Sequence, residues 1–258
     1  MDSDQPVREE WDFYPCQVDD RPASMFLNLG FVDAMPPHAM PVLHWVGLEM
    51  LHPGEHGMGV QPDVDSLFVC EDAIVPALAT LGLVFVARLR NHGEWRLHLY
   101  GPPVVEERML ATLERALDGQ ARGFRFGCQD DPEGECYAGF LYPPPERLQW
   151  IMDRRLVAQL QQHGDVLTAE RPVDHFLNFP EGVDVSGFCA AARELGFGML
   201  EELPPAVGGM RSVPLQRMDT VELDAIHEAV MQLVDLAASY DGAHDGWGCP
   251  LVKAGDAA

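Results

Sequence analysis

Three consecutive prolines, residues 143–145, interrupt the 258-residue chain just past its middle. Proline lacks a backbone N–H and fixes φ, so such a run cannot continue a strand ladder or lie inside a helix. The run therefore predicts a boundary between two folded domains, residues 1–144 and 145–258. Each part is long enough to bury a core of its own.

In the first part, an apolar, aromatic-rich hairpin comes before a longer alternating pattern. From residue 44 onward, the apolar spacing predicts the order strand, helix, strand, strand, helix, strand. The last strand of this order covers residues 123–129. An additional strand is predicted at residues 136–142, beyond the turn DDPEGE. The β-α-β-β-α-β order is that of a ferredoxin-like unit.

The second part repeats this order after one additional helix. Leu148, Met152, Leu156 and Leu160 recur every four residues and predict a helix with one apolar face. The stretch 171–203 then predicts strand, helix and strand, and a further strand, a long helix and a last strand follow. We therefore predict an α+β protein of two tandem ferredoxin-like (βαββαβ) domains, with antiparallel sheets and the helices on one face of each sheet.

Net charge restricts the partners that such a chain can bind. Asp and Glu number 41 against 17 Lys and Arg, which gives a net charge of -24 at pH 7. A field of this sign repels phosphate backbones and attracts basic surfaces, so we expect no direct binding of nucleic acid. A basic, Arg-rich segment of another protein is the partner that the charge favours.

The sequence also bears on where the protein works. No apolar run approaches the roughly 18 residues needed to span a bilayer, so we expect no membrane partner. The first residues are acidic and polar, unlike a signal peptide. The six cysteines are scattered without close pairs, as in small buried hydrophobic side chains of a reducing compartment. A cytoplasmic location follows as an expectation.

Motifs that carry chemistry are missing from the sequence. It contains neither G-x-S-x-G nor S-x-x-K, and Gly196-Phe197-Gly198 follows a helix, whereas a dinucleotide site needs glycines before one. We therefore expect no catalytic residues and no cofactor. Four histidines at residues 38–56 lack the spacing of known zinc motifs, so we expect no metal. A metal-dependent enzyme that uses this region remains an alternative.

Two short segments are the remaining candidates for a site. Asp174 and His175 are neighbours on a predicted strand, which places their side chains on opposite faces and excludes a direct catalytic dyad. A structural role, in which His175 bonds a loop carbonyl or pairs with an acid, is the favoured interpretation. Further on, two glycines flank Trp247 in the segment DGWG, residues 245–248. The glycines permit positive φ or close backbone approach. The Trp could either close the core or anchor a partner.

The same segments carry a family resemblance. From RRLVAQLQQHGD (154–165) through VDHFLNFP and FCAAARELGF to the DGWG ending, the second domain resembles the regulator of ribonuclease E activity B family. The sequence departs from the family by three residues, GAH (242–244). In the first domain, WDFYPCQVDDRPASMFLNLG (11–30) looks like a bacterial domain of unknown function that often precedes the regulator-like domain.

The resemblance implies a ferredoxin-like fold and a non-catalytic role. Family members are implied to bind and inhibit the endoribonuclease that organises bacterial RNA decay, so the Arg-rich partner segment would belong to that enzyme. An immunity-type or decoy protein that neutralises a basic toxin is the alternative. Our candidate partner contacts are Asp174, His175, Tyr240, Asp241, Asp245 and Trp247.

Overall fold

A computed structural model describes residues 8–35, 39–200 and 206–255. The chain divides into two compact units, Met1–Arg147 and Leu148–Ala258. The division falls a few residues after the three prolines. Within the described residues, no helix combines the length and the apolar character needed to cross a membrane.

The first unit is built on one antiparallel sheet of six strands in the order β1-β2-β4-β5-β3-β6. Its last four strands follow the ferredoxin-like order, and the N-terminal hairpin extends the sheet beyond β4. The elements are β1 (Trp11–Val18), β2 (Arg21–Asn28), β3 (Val42–Glu49), α1 (Asp63–Ala79), β4 (Val84–Asn91), β5 (Glu94–Gly101), α2 (Glu106–Ala116) and β6 (Phe124–Asp130).

Helices α1 and α2 cover one face of this sheet. Alternate residues of the strands, such as Val46 and Leu97, are fully buried against Leu67, Ile74 and Leu113 of the two helices. Trp95 lies in the same core and donates from its indole nitrogen to the Glu71 carboxylate at 2.8 Å. The prediction of a ferredoxin-like first domain is confirmed.

The predicted strand at residues 136–142 is wrong. Residues Tyr137–Leu141 form one π-helical turn. The Asp131 carboxylate accepts the backbone N–H groups of Glu135 at 2.7 Å and Cys136 at 3.1 Å, which satisfies the donors at the start of a helical turn. The alternation of apolar residues in this segment could not reveal that capping contact.

This turn and a short 3-10 helix, Leu29–Ala34, pack on the sheet face opposite α1 and α2. The ring of Phe31 lies 5.4 Å from that of Tyr100 and 4.9 Å from that of Tyr137. The hydroxyl of Tyr137 donates to the Asn28 carbonyl at 2.6 Å. The first sheet therefore has a second, smaller apolar layer in addition to the predicted one.

The second unit holds a four-stranded antiparallel sheet in the order β10-β7-β9-β8, the ferredoxin-like order again. Helices α4 and α5 cover one face through Phe188, Ala192, Leu233 and Ala237. The prediction for this domain is also confirmed. Its elements are α3 (Pro145–Gln162), β7 (Arg171–Pro180), α4 (Ser186–Glu194), β8 (Gly198–Met199), β9 (Met210–Asp219), α5 (Leu223–Ala238) and β10 (Ala243–Gly248).

Two details of the second domain differ from expectation. The buried residues of α3 are Ile151, Asp153 and Val157, whereas Met152, which we placed on the apolar face, is exposed. Leu156 and Leu160 of the predicted stripe do pack against the core. The Asp153 carboxylate finds buried partners in Trp247 and His227, which the apolar pattern could not show. The strand predicted to run to residue 203 is only Gly198–Met199, and residues 201–205 lie outside the described part.

A buried ion pair closes the end of the second sheet. The guanidinium of Arg171 lies 2.5 Å from the Asp165 carboxylate, and both side chains are almost fully buried. Arg171 also donates to the carbonyls of Ala169 and Pro250 at 3.0 and 3.4 Å. Asp165 accepts the backbone N–H of Val252 at 2.8 Å. Through these hydrogen bonds, the pair connects the segment after β10 to the loop before β7.

Replacing Arg171 by methionine should destabilise the second domain by about 3–5 kcal/mol, because Asp165 would remain as a buried, uncompensated charge. Urea unfolding of the full chain measures this change. The control is Arg8→Met, which breaks an exposed pair with Glu10 and should cost less than about 1 kcal/mol. Equal effects of the two substitutions would contradict the role given to Arg171.

Candidate functional site

The central strand β7 gives the second domain two chemically different faces. Its odd-numbered residues, including His175 and Phe179, are buried toward the helices. Its even-numbered residues, among them Asp174 and Phe176, point to the other side, because side chains alternate along a strand. The exposed fraction of Phe176 is 40%, which is unusual for an aromatic ring at the centre of a sheet.

The strand register extends the second of these faces across the whole sheet. Gly246 of β10 stands opposite Phe176, which stands opposite Pro214 of β9. Leu200 then donates its backbone N–H to the Pro214 carbonyl. We call this side of the sheet the open face. Its residues on the four strands and at Leu200 are Pro172, Asp174, Phe176, Asn178, Pro180, Gly198, Leu200, Met210, Ser212, Pro214, Gln216, Met218, Ala243, Asp245, Gly246 and Gly248.

The open face is acidic and apolar at once. Among these residues the charged ones are Asp174 and Asp245, and Lys and Arg do not occur. Asp174 accepts a hydrogen bond from the Gln216 amide at 2.7 Å, which fixes the carboxylate beside the Phe176 row. Met210 and Met218 are exposed on the same face. Such a surface can take up an apolar group together with a neighbouring cation.

Glycines keep the β10 side of this face flat. A Cβ at Gly246 or Gly248 would meet no atom within 4 Å, so the space above both backbones is open. The register between β10 and β7 shifts between His244 and Gly246, which leaves Asp245 as an extra, exposed residue. Gly246 has φ +143°, a conformation that other residues rarely adopt. The bulge therefore directs a carboxylate outward.

His175 lies in the core beneath this face. Its Nδ1 is 3.4 Å from Nε2 of His244, so one ring donates to the other. The remaining ring nitrogens, Nε2 of His175 and Nδ1 of His244, are buried without a hydrogen-bond partner in the described structure. Burial, followed by the nearby His244 and Arg217, lowers the pKa of His175 to about 3. The pair is neutral at physiological pH.

Trp247 also lies in the core. Its indole N–H donates to Oδ1 of Asp153 at 3.0 Å, and the same carboxylate accepts from Gln149 at 2.9 Å and lies 2.8 Å from Nδ1 of His227. Asp153 thus joins α3 and α5 to β10. Our sequence reasoning missed this residue, and its only signal was an acid between the apolar residues of a helix.

The six candidate contacts therefore separate into three groups. Asp174 and Asp245 lie on the open face. His175 and Trp247 are buried under it, so their side chains serve the core and are not exposed for contact with a partner. Tyr240 packs its ring 6.0 Å from Phe188 on the helix side, and Asp241 is exposed in the turn after α5 with φ +57°. Sequence reasoning did not single out Phe176.

The alternative metal site was placed at residues 38–56. His44 is buried and donates from Nε2 to the Pro102 carbonyl at 3.0 Å, while His52 and His56 are exposed. Within the described ranges, His, Cys, Asp and Glu side chains form no group of three or more that could hold a metal ion. His38 lies outside the described residues.

These features define a two-domain α+β protein of tandem ferredoxin-like units whose second sheet presents an acidic and apolar face. Residues 9–142 match the model of DUF695, a family of unknown function, and residues 150–249 match that of the regulator of ribonuclease activity B. The chain belongs to the DUF695 family, whose model covers half of it, and carries a regulator of ribonuclease activity B domain after it. No curated protein matches the chain.

Two solved structures resemble the chain weakly. One is a protein described as a glycine cleavage system transcriptional repressor, with 10% identity, a TM-score of 0.23, and coverage of 83% of this chain and 98% of that one. The other is an unknown protein from Galdieria sulphuraria, with 11% identity, a TM-score of 0.21, and coverage of 83% and 99%. At these TM-scores, neither resemblance carries an argument.

Acid should destabilise the second domain through its buried histidine pair. The pKa of His175 is lowered to about 3 in the folded protein, against about 6.5 in an unfolded chain. The contribution of His175 to stability is therefore complete above pH ~6.5 and is lost as the pH falls toward ~3, and the loss is about 2 kcal/mol at pH ~5. Urea unfolding at a series of pH values measures it.

The variant His175→Gln removes the titrating group and should flatten this dependence. His163→Gln is the matched control, because His163 is exposed directly after α3 and its ring bonds the Gln159 carbonyl in the same turn. It should leave the pH dependence as in the unaltered protein. Equal slopes in the His175→Gln variant and the unaltered protein would show that the buried pair does not titrate in this way.

Proposed function

We propose that the protein is a cytoplasmic regulator that binds a basic segment of a ribonuclease E-type endoribonuclease and lowers its activity. The match of residues 150–249 to the regulator of ribonuclease activity B is the observation that carries this proposal. The protein acts by binding rather than by catalysis. Its partner is a protein and not the RNA itself.

The chemistry of the open face supports this choice of partner. An RNA-binding enzyme carries Arg-rich segments, since Arg is the residue of choice for phosphate recognition. The exposed ring of Phe176 offers a planar surface over which a guanidinium can stack. Asp174 and Asp245 provide carboxylates that accept bidentate hydrogen bonds from the same group. A nucleic acid would instead meet two carboxylates and the net charge of -24.

The buried residues have a supporting part in this proposal. The Trp247–Asp153 hydrogen bond fixes β10 against the helices, and β10 in turn holds the bulge from which Asp245 projects. His175 fills the layer directly below Phe176 and Asp174. Substitution of these residues would therefore change binding through the position of the strands, and it would lower stability as well.

Replacing Phe176 by alanine should weaken binding of the Arg-rich segment about tenfold or more, the size of effect seen for aromatic residues at interface centres. The measurement pairs fluorescence anisotropy of a labelled segment with the rate at which the purified endoribonuclease cleaves an RNA oligonucleotide. Inhibition and binding should weaken together, and the unaltered protein should lose affinity as salt rises from about 0.05 to about 0.5 M.

Phe140→Ala is the matched control. Phe140 is exposed by 44%, close to the 40% of Phe176, but it lies in the π-helical turn of the first domain. The control should bind and inhibit as the unaltered protein does. Undiminished inhibition by Phe176→Ala would show that the open face is not the contact surface. No inhibition by the unaltered protein would contradict the function itself.

A further inference from the structure

The edges of the two sheets differ in how they are protected. In the part of the chain that the structure describes, four strands lie at sheet edges: β1, β6, β8 and β10. Unpaired N–H and C=O groups at an edge can pair with another chain, and proteins usually block them with proline, bulges, charges or short strands. Three of these four edges carry a proline, a bulge or a very short strand.

The devices follow from the sequence of each strand. In β1 the backbone N–H of Leu29 donates to the Glu10 carbonyl, so the even-numbered residues of β1 bond to β2. The odd-numbered residues, including Pro15, direct their backbone groups to the open edge. Proline has no N–H, so one donor is missing from that edge. In β10 the bulge at Asp245 breaks the edge. Strand β8 is only two residues long. Each of these edges resists the addition of a strand.

Strand β6 has none of these three features, and its charged residues are Arg125 and Asp130. Its seven residues, FRFGCQD, contain neither proline nor lysine and pair with β3 without a register shift. The backbone N–H of Glu49 donates to Gly123, and that of Asp131 donates to Pro41. Odd-numbered residues therefore bond to β3. The even-numbered residues Phe124, Phe126 and Cys128 direct their N–H and C=O groups to the open edge.

A groove of about 730 Å³ lies beside this edge. Phe124 and Phe126 of β6 form one side, and Met109 and Leu110 of α2 form the other. Leu110 is exposed on α2, and Cys128 is exposed on the strand. An added strand would place alternate side chains toward this groove, as in other complexes formed by strand addition.

The charges around the groove indicate what kind of strand fits. Glu106 lines the groove, and Asp130 is exposed at the end of β6. Arg125 is the one Arg or Lys that lines the groove within the described ranges, and its exposed guanidinium lies 3.2 Å from Glu94, which also pairs with Arg96. A second copy of this chain would bring a further net charge of -24 to the contact. Basic residues on the added strand would instead be complementary.

We propose that the β6 edge of the first domain is a docking site for an extended, basic segment of a partner protein. The segment adds as a seventh strand and inserts an apolar side chain into the groove between β6 and α2. This interaction lies in the DUF695 domain and does not depend on the function proposed for the second domain.

Short labelled peptides of alternating lysine and valine test this proposal by anisotropy. The lysine–valine peptide should bind the full-length protein and protect the amides of Phe126 and Cys128 from hydrogen exchange. Cys128→Pro removes one outward N–H while leaving the bonds to β3 in place, and it should weaken binding about tenfold. Cys128→Ala keeps that N–H and is the matched control, with unchanged affinity expected.

A peptide of the same sequence with methylated backbone amides tests the same hydrogen bonds on the unaltered protein, should Cys128→Pro fail to fold. It should bind at least about tenfold more weakly than the parent peptide. Equal binding of the parent and methylated peptides, or tighter binding of a glutamate–valine peptide, would overturn the proposal. So would a dimer of the protein that Cys128→Pro dissociates, because the occupant would then be a second copy.

Discussion

In each domain the longer helices cover only one face of the antiparallel sheet, and this constraint governs both domains. The first domain meets it with a 3-10 helix and a π-helical turn that pack Phe31 and Tyr137 on the second face. The second domain leaves its second face to solvent with Phe176 at the centre. Met210 and Met218 are exposed on the same face, and exposed apolar patches of this kind often mark interaction sites. The two sheets therefore differ in their second face, which is covered in the first domain and exposed in the second.

The order of elements could be predicted because apolar periodicity reflects local burial. Both β-α-β-β-α-β units follow from it, and the alternation of β7 placed Asp174 and His175 on opposite faces, as observed. Which of the two faces is buried depends on residues far along the chain. His175 meets His244, and Asp153 meets Trp247, at separations of 69 and 94 residues. No local pattern contains those contacts.

Sequence interpretation was least reliable in segments whose local pattern fits two different structures. CYAGFLY alternates apolar residues as a strand would, but Asp131 caps it as a helical turn. For Trp247 between two glycines the sequence left core packing and an exposed anchor open, and its indole N–H has a buried carboxylate as partner. In both cases a single acid, distant or outside the motif, decided the outcome. The open-face residue Phe176 was missed because an exposed and a buried phenylalanine look alike in a strand.

The residues GAH (242–244), by which the sequence departs from the family ending, are integrated into the fold. A Cβ at Gly242 would lie 2.2 Å from the ring of Phe179, so residue 242 must be glycine for the chain to pass that ring. His244 supplies the hydrogen-bonding partner of His175. The inserted residues thus complete the core of this particular protein, and they bear on its stability more directly than on its contacts.

The Arg171–Asp165 pair binds residues that lie beyond the end of the family match. The family match ends at residue 249, but Arg171 donates to the Pro250 carbonyl and Asp165 accepts from Val252. Residue 253 also bridges back to Asp165 in a strand-like pairing. A fragment cut at the family boundary would expose both charged groups to water at the base of the sheet. Domain fragments for separate study should therefore extend through Lys253.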